Sequence, residues 1–157
     1  MAIAVFSAGC FWGVEAWFER LNGVDQTKVG YSGGAVENPS YELVKTGKTG
    51  HAESVKIDFD PEKISYSELV DAFFECHDPT TRNRQGEDIG SQYRSIIFYQ
   101  DDQQKQIAAE KIQEWNQKGV FKTEIVTEVN HAAPFYEAEE HHQKYLQKNG
   151  TASCGIV

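Results

Sequence analysis

Cys10 is the residue of this sequence best placed to act as a nucleophile. It follows a short apolar run at residues 2–6 and precedes a stretch whose apolar residues recur at helical spacing, so a strand is predicted to turn into a helix here. The N-terminus of a helix carries unpaired N–H groups and partial positive charge, which stabilise a thiolate. A free cysteine is also a common core residue, so position alone leaves both interpretations open.

Phe11 and Trp12 follow this cysteine directly. Adjacent residues of a helix point in different directions, so these two aromatic rings cannot both face one core. We therefore expect at least one of them to line a pocket beside Cys10 that accepts a methyl or thioether group. Core packing of both rings is the alternative.

Glu53 is the most informative carboxylate because of its place in an alternating strand. Val55, Ile57 and Phe59 share one face of residues 53–59, and Glu53 has the same parity. A carboxyl group buried on that face should have a raised pKa, which would let it act as a proton donor near neutral pH. If the strand begins one or two residues later, Glu53 is exposed instead.

The two remaining cysteines have different settings. Cys154 lies in a tail of small residues, 150–157, which we expect to be mobile, as a resolving thiol must be. A bystander thiol is the alternative. Cys76 falls seven residues after Leu69 on a helical stripe and is predicted to be core.

Composition narrows the class of protein. The 157 residues suit a single domain, and a net charge of −9 opposes binding to nucleic acid or an anionic membrane. The uncharged residues 1–14 lack a basic leader and are too short to span a bilayer. Three cysteines do not make a disulfide scaffold, so we expect reduced thiols in the cytoplasm.

No metal or cofactor site is predicted. His141 and His142 are adjacent and lack the spacing of a zinc helix. Gly30, Gly33 and Gly34 do not form a dinucleotide-binding fingerprint.

The predicted elements follow the order β-α-β-β-α-β. Strands are expected at residues 27–31, 53–59, 95–99 and 123–129 besides the first, with loops at 32–50 and 78–92. Helices are expected after Cys10, after a capping box formed by Ser65 and Glu68, and over residues 101–118 and 138–148. This order is typical of an α+β ferredoxin-like split β-α-β sandwich of two layers, with an added strand and a C-terminal helix and tail.

The run GCFWGVE at residues 9–15 resembles the signature of peptide methionine sulfoxide reductase A, the family that reduces the S epimer of methionine sulfoxide. Further matches follow in order along nearly the whole chain: GY at 30–31, NPSY at 38–41, TGHAE at 49–53, HDP at 77–79, RQG at 84–86, Asp88, Gly90, QYR at 92–94, AE at 138–139, HQ at 142–143 and YL at 145–146.

The resemblance implies a role for each matching residue. Cys10 would be the nucleophile, Glu53 the proton donor and Cys154 the resolving cysteine. Tyr41, Asp88 and Tyr93 would be the surrounding hydrogen-bonding groups, and Phe11 and Trp12 the aromatic wall that receives the methyl group. Some relatives carry a further cysteine that this chain lacks, so one disulfide, Cys10 with Cys154, would form before an external reductant acts.

The implied substrates are oxidised peptides or proteins, the implied reductant is thioredoxin or a similar dithiol, and we expect a monomer. Two other functions remain open on the residues alone. Cys10 activated by His51 or His142 would make a cysteine acyl-transferase or hydrolase. The aromatic residues near Phe11 could also form a peptide-binding module without catalysis.

Overall fold

A computed structural model describes residues 2–146 of the chain. Its strands are β1 Ala2–Ala8, β2 Val24–Ser32, β3 Ala52–Phe59, β4 Arg84–Gln85, β5 Asp88–Ile89, β6 Ser95–Tyr99, β7 Glu128–His131 and β8 Phe135–Glu137. Its helices are α1 Phe11–Glu19, α2 Tyr41–Lys45, α3 Tyr66–Glu75 and α4 Asp102–Lys118. Within residues 2–146, no helix is both long enough and apolar enough to cross a membrane.

Six strands form one sheet in the order β7-β6-β1-β3-β2-β8. The four central strands pair antiparallel in the order β6-β1-β3-β2, which is the strand order of a split β-α-β sandwich and confirms the predicted fold. The sheet gains two strands rather than the one expected, because β7 runs parallel to β6 and β8 pairs with β2.

The helices cover one face of this sheet and bury the larger core. Phe6 of β1 packs against Phe18 of α1 and Phe73 of α3, with ring centroids 5.4 and 5.0 Å apart. Trp115 of α4 extends the same core by packing against Phe74. A smaller cluster occupies the opposite face of the sheet and contains Val5, Ala52, Ile96 and Phe98.

Local signals of the sequence account for the helix ends. The capping box at α3 is present as predicted, since Ser65 and Glu68 each accept a hydrogen bond from the other's backbone N–H. Asp101 caps α4 in a similar way by accepting a hydrogen bond from Gln104 N–H. Gly119 ends α4 with a left-handed φ of 66°.

The strand predicted over residues 123–129 begins too early. The backbone N–H of Ile125 donates to the side chain of Asn116, and that of Val126 donates to the carbonyl of Pro79. Because these donors are used elsewhere, pairing with β6 begins only at Glu128. The loop predicted over residues 32–50 also contains the short helix α2, which Ser40 caps.

The helix predicted from residue 138 is wrong at its beginning. Glu140–His142 form a single 3-10 turn, and Lys144 takes a left-handed φ of 55°. The side chain of Gln143 bonds to the backbone of Val29 in β2, so contacts with the sheet override the local helical pattern here. Residues 147–148 of that prediction lie outside the described residues.

Candidate active site

Cys10 lies at the junction of β1 and α1, as predicted. It is the residue immediately before the helix and is 9% exposed. Gly9 makes the turn possible with a φ of 100°, and a Cβ atom there would lie 2.8 Å from Cγ of Gln85. Cys10 is disulfide-bonded in the structure.

Glu53 lies at the start of β3 and faces α1, as its parity predicted. Its side chain is 2% exposed, and Oε1 accepts a hydrogen bond of 3.0 Å from the backbone N–H of Phe11. Since Phe11 directly follows Cys10, this bond brings the carboxyl group beside the peptide unit of the nucleophile.

Burial raises the pKa of Glu53 to about 8. The hydrogen bond from Phe11 opposes this shift, and the charge of Asp88 adds to it. The carboxyl group is therefore largely protonated at neutral pH, which is the state that a proton donor needs.

Three further predicted residues surround Glu53. Burial raises the pKa values of Tyr41 and Tyr93, and the negative charges of Glu53 and Asp88 raise both further. Two tyrosine hydroxyls thus remain neutral hydrogen-bond donors near the buried acid. Asp88 itself is half-buried on β5, and burial followed by the charge of Glu87 raises its pKa.

The two aromatic residues after Cys10 occupy different environments. Phe11 is fully buried in the core, where it packs against Tyr31 and His142. Trp12 is only partly buried; its ring stacks on Tyr145 with centroids 3.7 Å apart, and its Nε1–H donates to Nδ1 of His142. Trp12 is thus the aromatic residue of the pair that reaches the surface, and both rings share Tyr41 and His142 as neighbours.

The chain matches a family model described as "Peptide methionine sulfoxide reductase" over residues 2–157. Its sequence is 54% identical to a peptide methionine sulfoxide reductase MsrA of Methanothermobacter thermautotrophicus, an alignment that covers 98% of this chain and 91% of that protein. The chain belongs to the peptide methionine sulfoxide reductase A family. It is therefore an oxidoreductase that reduces methionine sulfoxide with a thiol.

Solved structures of the family agree with the fold. Reduced Mxr1 of Saccharomyces cerevisiae superposes with a TM-score of 0.91 at 36% identity, covering 98% of this chain and 88% of that one. Mxr1 in complex with Trx2 matches with a TM-score of 0.68 at 25% identity, covering 99% and 88% of the two chains.

The site of this reductase also involves Glu139 and Tyr145, for which the sequence predicted no role, and His142, which the sequence offered only as a possible base. Glu139 accepts hydrogen bonds from the Tyr31 hydroxyl and from the backbone N–H of Tyr41, which orients the Tyr31 side chain and fixes the backbone at the start of α2. His142 and Tyr145 hold the indole of Trp12. The only signal for them was their place in the family matches at residues 138–146.

His51 does not suit the role of a catalytic base. Its Nδ1 accepts a hydrogen bond of 3.0 Å from Gly34 N–H, which leaves Nε2 to donate to the carbonyl of Val36 at 2.6 Å. Both ring nitrogens of this buried histidine therefore hold the loop before β3. Among residues 2–146, no group of three His, Cys, Asp or Glu side chains could hold a metal ion.

Cys76 is a buried free thiol, as predicted for a core residue. Its Sγ donates a hydrogen bond to the carbonyl of Phe73, and burial raises its pKa. Cys154 lies outside the described residues.

Proposed function

We propose that this reductase acts on the S epimer of methionine sulfoxide in peptides, with Cys10 as the nucleophile and Glu53 as the proton donor. The hydrogen bond from Phe11 N–H to Glu53 carries this assignment, because it joins a buried carboxyl group to the helix end that bears Cys10. The raised pKa of Glu53 supports the same role.

The first step needs both residues. A sulfoxide oxygen leaves poorly unless it is protonated, so attack by the Cys10 sulfur on the substrate sulfur requires an acid at the oxygen. Glu53 supplies that proton while the hydroxyls of Tyr41 and Tyr93 donate hydrogen bonds, and Asp88 helps to keep Glu53 protonated. With a second proton from solvent the oxygen leaves as water while the bond between the Cys10 sulfur and the substrate sulfur forms. Water then attacks the Cys10 sulfur and breaks that S–S bond, which releases methionine and leaves Cys10 as a sulfenic acid.

The substrate methyl group would rest on an aromatic wall. Trp12 offers the surface, and the buried ring of Phe11 packs against Tyr41, which also stacks on Trp12. Stacking on Tyr145 and the bond to His142 hold the indole in one orientation, which limits the conformational entropy lost on binding.

Cys154 closes the cycle in this proposal. Its thiol condenses with the sulfenic acid to form the Cys10–Cys154 disulfide and water, and thioredoxin or a similar dithiol then restores both thiols. Cys76 is unsuited to this step because it is buried in the core with a raised pKa. The solved complex of yeast Mxr1 with Trx2 supports thioredoxin as the reductant.

We further propose a single catalytic domain that acts as a monomer in the cytoplasm.

Mass spectrometry of a peptide with one methionine sulfoxide tests the substrate and the stereochemistry. With dithiothreitol present, the S epimer should lose one oxygen, about 16 Da, whereas the R epimer should remain unchanged. Equal reduction of both epimers would contradict the proposed specificity. Binding without loss of oxygen would contradict catalysis altogether.

Replacing Cys154 tests the resolving step. With thioredoxin as the only reductant, Cys154→Ser should release about one equivalent of methionine per enzyme and then stop, because the sulfenic acid has no resolving partner. Quantifying methionine per enzyme with the substrate in excess checks this, and Cys76→Ser serves as the control that should turn over repeatedly. Repeated turnover by the Cys154 variant would show that another thiol resolves the intermediate.

A further inference from the structure

Residues 139–145, here called the anchor segment, attach the end of the described chain to the elements that hold the site. Glu139 bonds to Tyr31 and Tyr41, and Tyr145 stacks on Trp12. The tail that bears Cys154 follows this segment in the sequence. The anchor segment therefore sets the point from which that tail starts.

Gln143 ties the anchor segment to the sheet. Its Oε1 accepts a hydrogen bond of 2.9 Å from Val29 N–H, and its Nε2 donates to the carbonyls of Val29 and Ala138 at 2.8 and 3.0 Å. The amide side chain thus satisfies the backbone of β2 as a neighbouring strand would.

Glu15 ties the same segment to the helix that begins after Cys10. Its side chain is 1% exposed, and its two oxygens accept hydrogen bonds from the backbone N–H of Lys144 at 2.6 Å and from the hydroxyl of Thr27 at 2.8 Å. Lys144 Nζ donates to the same hydroxyl and lies 3.6 Å from the carboxylate. A buried carboxylate therefore holds Lys144 at its left-handed φ of 55°.

Distances along the chain link this contact to Cys154. Glu15 lies five residues after Cys10, which is roughly 7.5 Å along a helix. Cys154 lies ten residues after Lys144, and ten extended residues reach at most about 36 Å. Fixing Lys144 near Cys10 reduces the volume accessible to the Cys154 thiol. The effective concentration of that thiol at Cys10 is therefore higher.

We propose that Glu15 is a positioning residue for the resolving step: by holding Lys144 on α1, it keeps the start of the tail close to Cys10 and speeds formation of the disulfide. The proposal rests on the proposed role of Cys154. The chemistry is unchanged, since the Cys154 thiol displaces the sulfenic oxygen of Cys10 as water and no further reductant takes part.

Comparing the two steps in variants tests this role. In a single turnover, Glu15→Ala should form methionine within about twofold of the wild-type rate but form the Cys10–Cys154 disulfide about tenfold more slowly. Quenched samples give the first rate from methionine and the second from mass spectrometry of the alkylated enzyme. Activity should fall with thioredoxin but hold with dithiothreitol, which can reduce the sulfenic acid directly. A merely structural role would lower both activities together.

Two matched variants isolate the contact. Glu19→Gln removes a carboxylate 3.2 Å from the same Lys144 Nζ but touches no backbone of the anchor segment, so it should form the disulfide at the wild-type rate. Lys144→Gly keeps the backbone donor, and glycine suits the left-handed φ. Its rate of disulfide formation should therefore stay within about threefold of the wild-type rate. If Glu15→Ala melts at a temperature well below that of the wild type, Glu15→Gln is tested in its place. Its rate of disulfide formation should lie between the wild-type rate and the tenfold slower rate expected for Glu15→Ala.

The outcomes separate this inference from the function it rests on. If Glu15→Ala forms the Cys10–Cys154 disulfide at the wild-type rate, the positioning role alone is overturned. Equal losses in both steps overturn it as well. A wild-type enzyme that forms no Cys10–Cys154 disulfide after reducing a sulfoxide overturns the proposed function of Cys154 and this inference together.

Discussion

Cys10→Ser is expected to abolish methionine formation with either dithiothreitol or thioredoxin. A serine hydroxyl is not ionised near neutral pH, so neither a nucleophile nor a sulfenic acid intermediate can form. The loss should not come from unfolding, because Cys10 precedes α1 and makes no side-chain cap there, whereas serine is a favoured cap. Peptide reduction measured by mass spectrometry gives the activity. A thermal melt with dithiothreitol, which keeps Cys10 of the wild type reduced, should show unchanged or slightly raised stability of the variant.

Cys76→Ser is the matched control for that variant. It removes a thiol in the core, and the serine hydroxyl retains a donor for the carbonyl of Phe73. Its activity should remain at the wild-type level even if stability falls. If the Cys10 variant forms methionine at more than a few per cent of the wild-type rate, Cys10 is not the nucleophile.

Glu53→Gln should slow the first step by about 10²- to 10⁴-fold at pH 7, the usual contribution of a general acid. The wild-type rate should also fall as the pH rises through about 8, because Glu53 then loses its proton. The rate of the glutamine variant should not show this decrease at alkaline pH, here called the alkaline limb. Rapid-quench single turnovers between pH 6 and pH 10 measure both effects.

The same pKa shift predicts the pH dependence of stability. The pKa of Glu53 is raised from an ordinary 4.5 to about 8, so folding disfavours the charged form. The wild type should lose a few kcal/mol of unfolding free energy between pH 4.5 and pH 8, and Glu53→Gln should not share this loss. Urea denaturation at pH 5 and pH 9 tests it.

Glu62→Gln is the matched control for both experiments, since Glu62 is exposed in the turn after β3. It should keep the wild-type rate and pH profile. An unchanged alkaline limb in Glu53→Gln would show that another group supplies the proton.

Local patterns of the sequence predicted the parts of this site that depend on one element. The change from strand to helical spacing placed Cys10 at the beginning of α1, and the alternation of residues 53–59 turned Glu53 inward. The capping box at Ser65 marked the beginning of α3. These predictions succeeded because backbone period and capping are short-range properties of neighbouring residues.

Contacts between distant residues were decided by the tertiary structure. The bond from Phe11 to Glu53 joins residues 42 positions apart, and the one from Lys144 to Glu15 joins residues 129 apart. The helix predicted from residue 138 was wrong at its beginning, because the side chain of Gln143 bonds to the backbone of β2. Sequence alone thus determined which groups could react and on which face of an element they lie. Only tertiary packing determined which of these groups contact each other, because a buried polar group must form a hydrogen bond with whichever partner the fold places beside it.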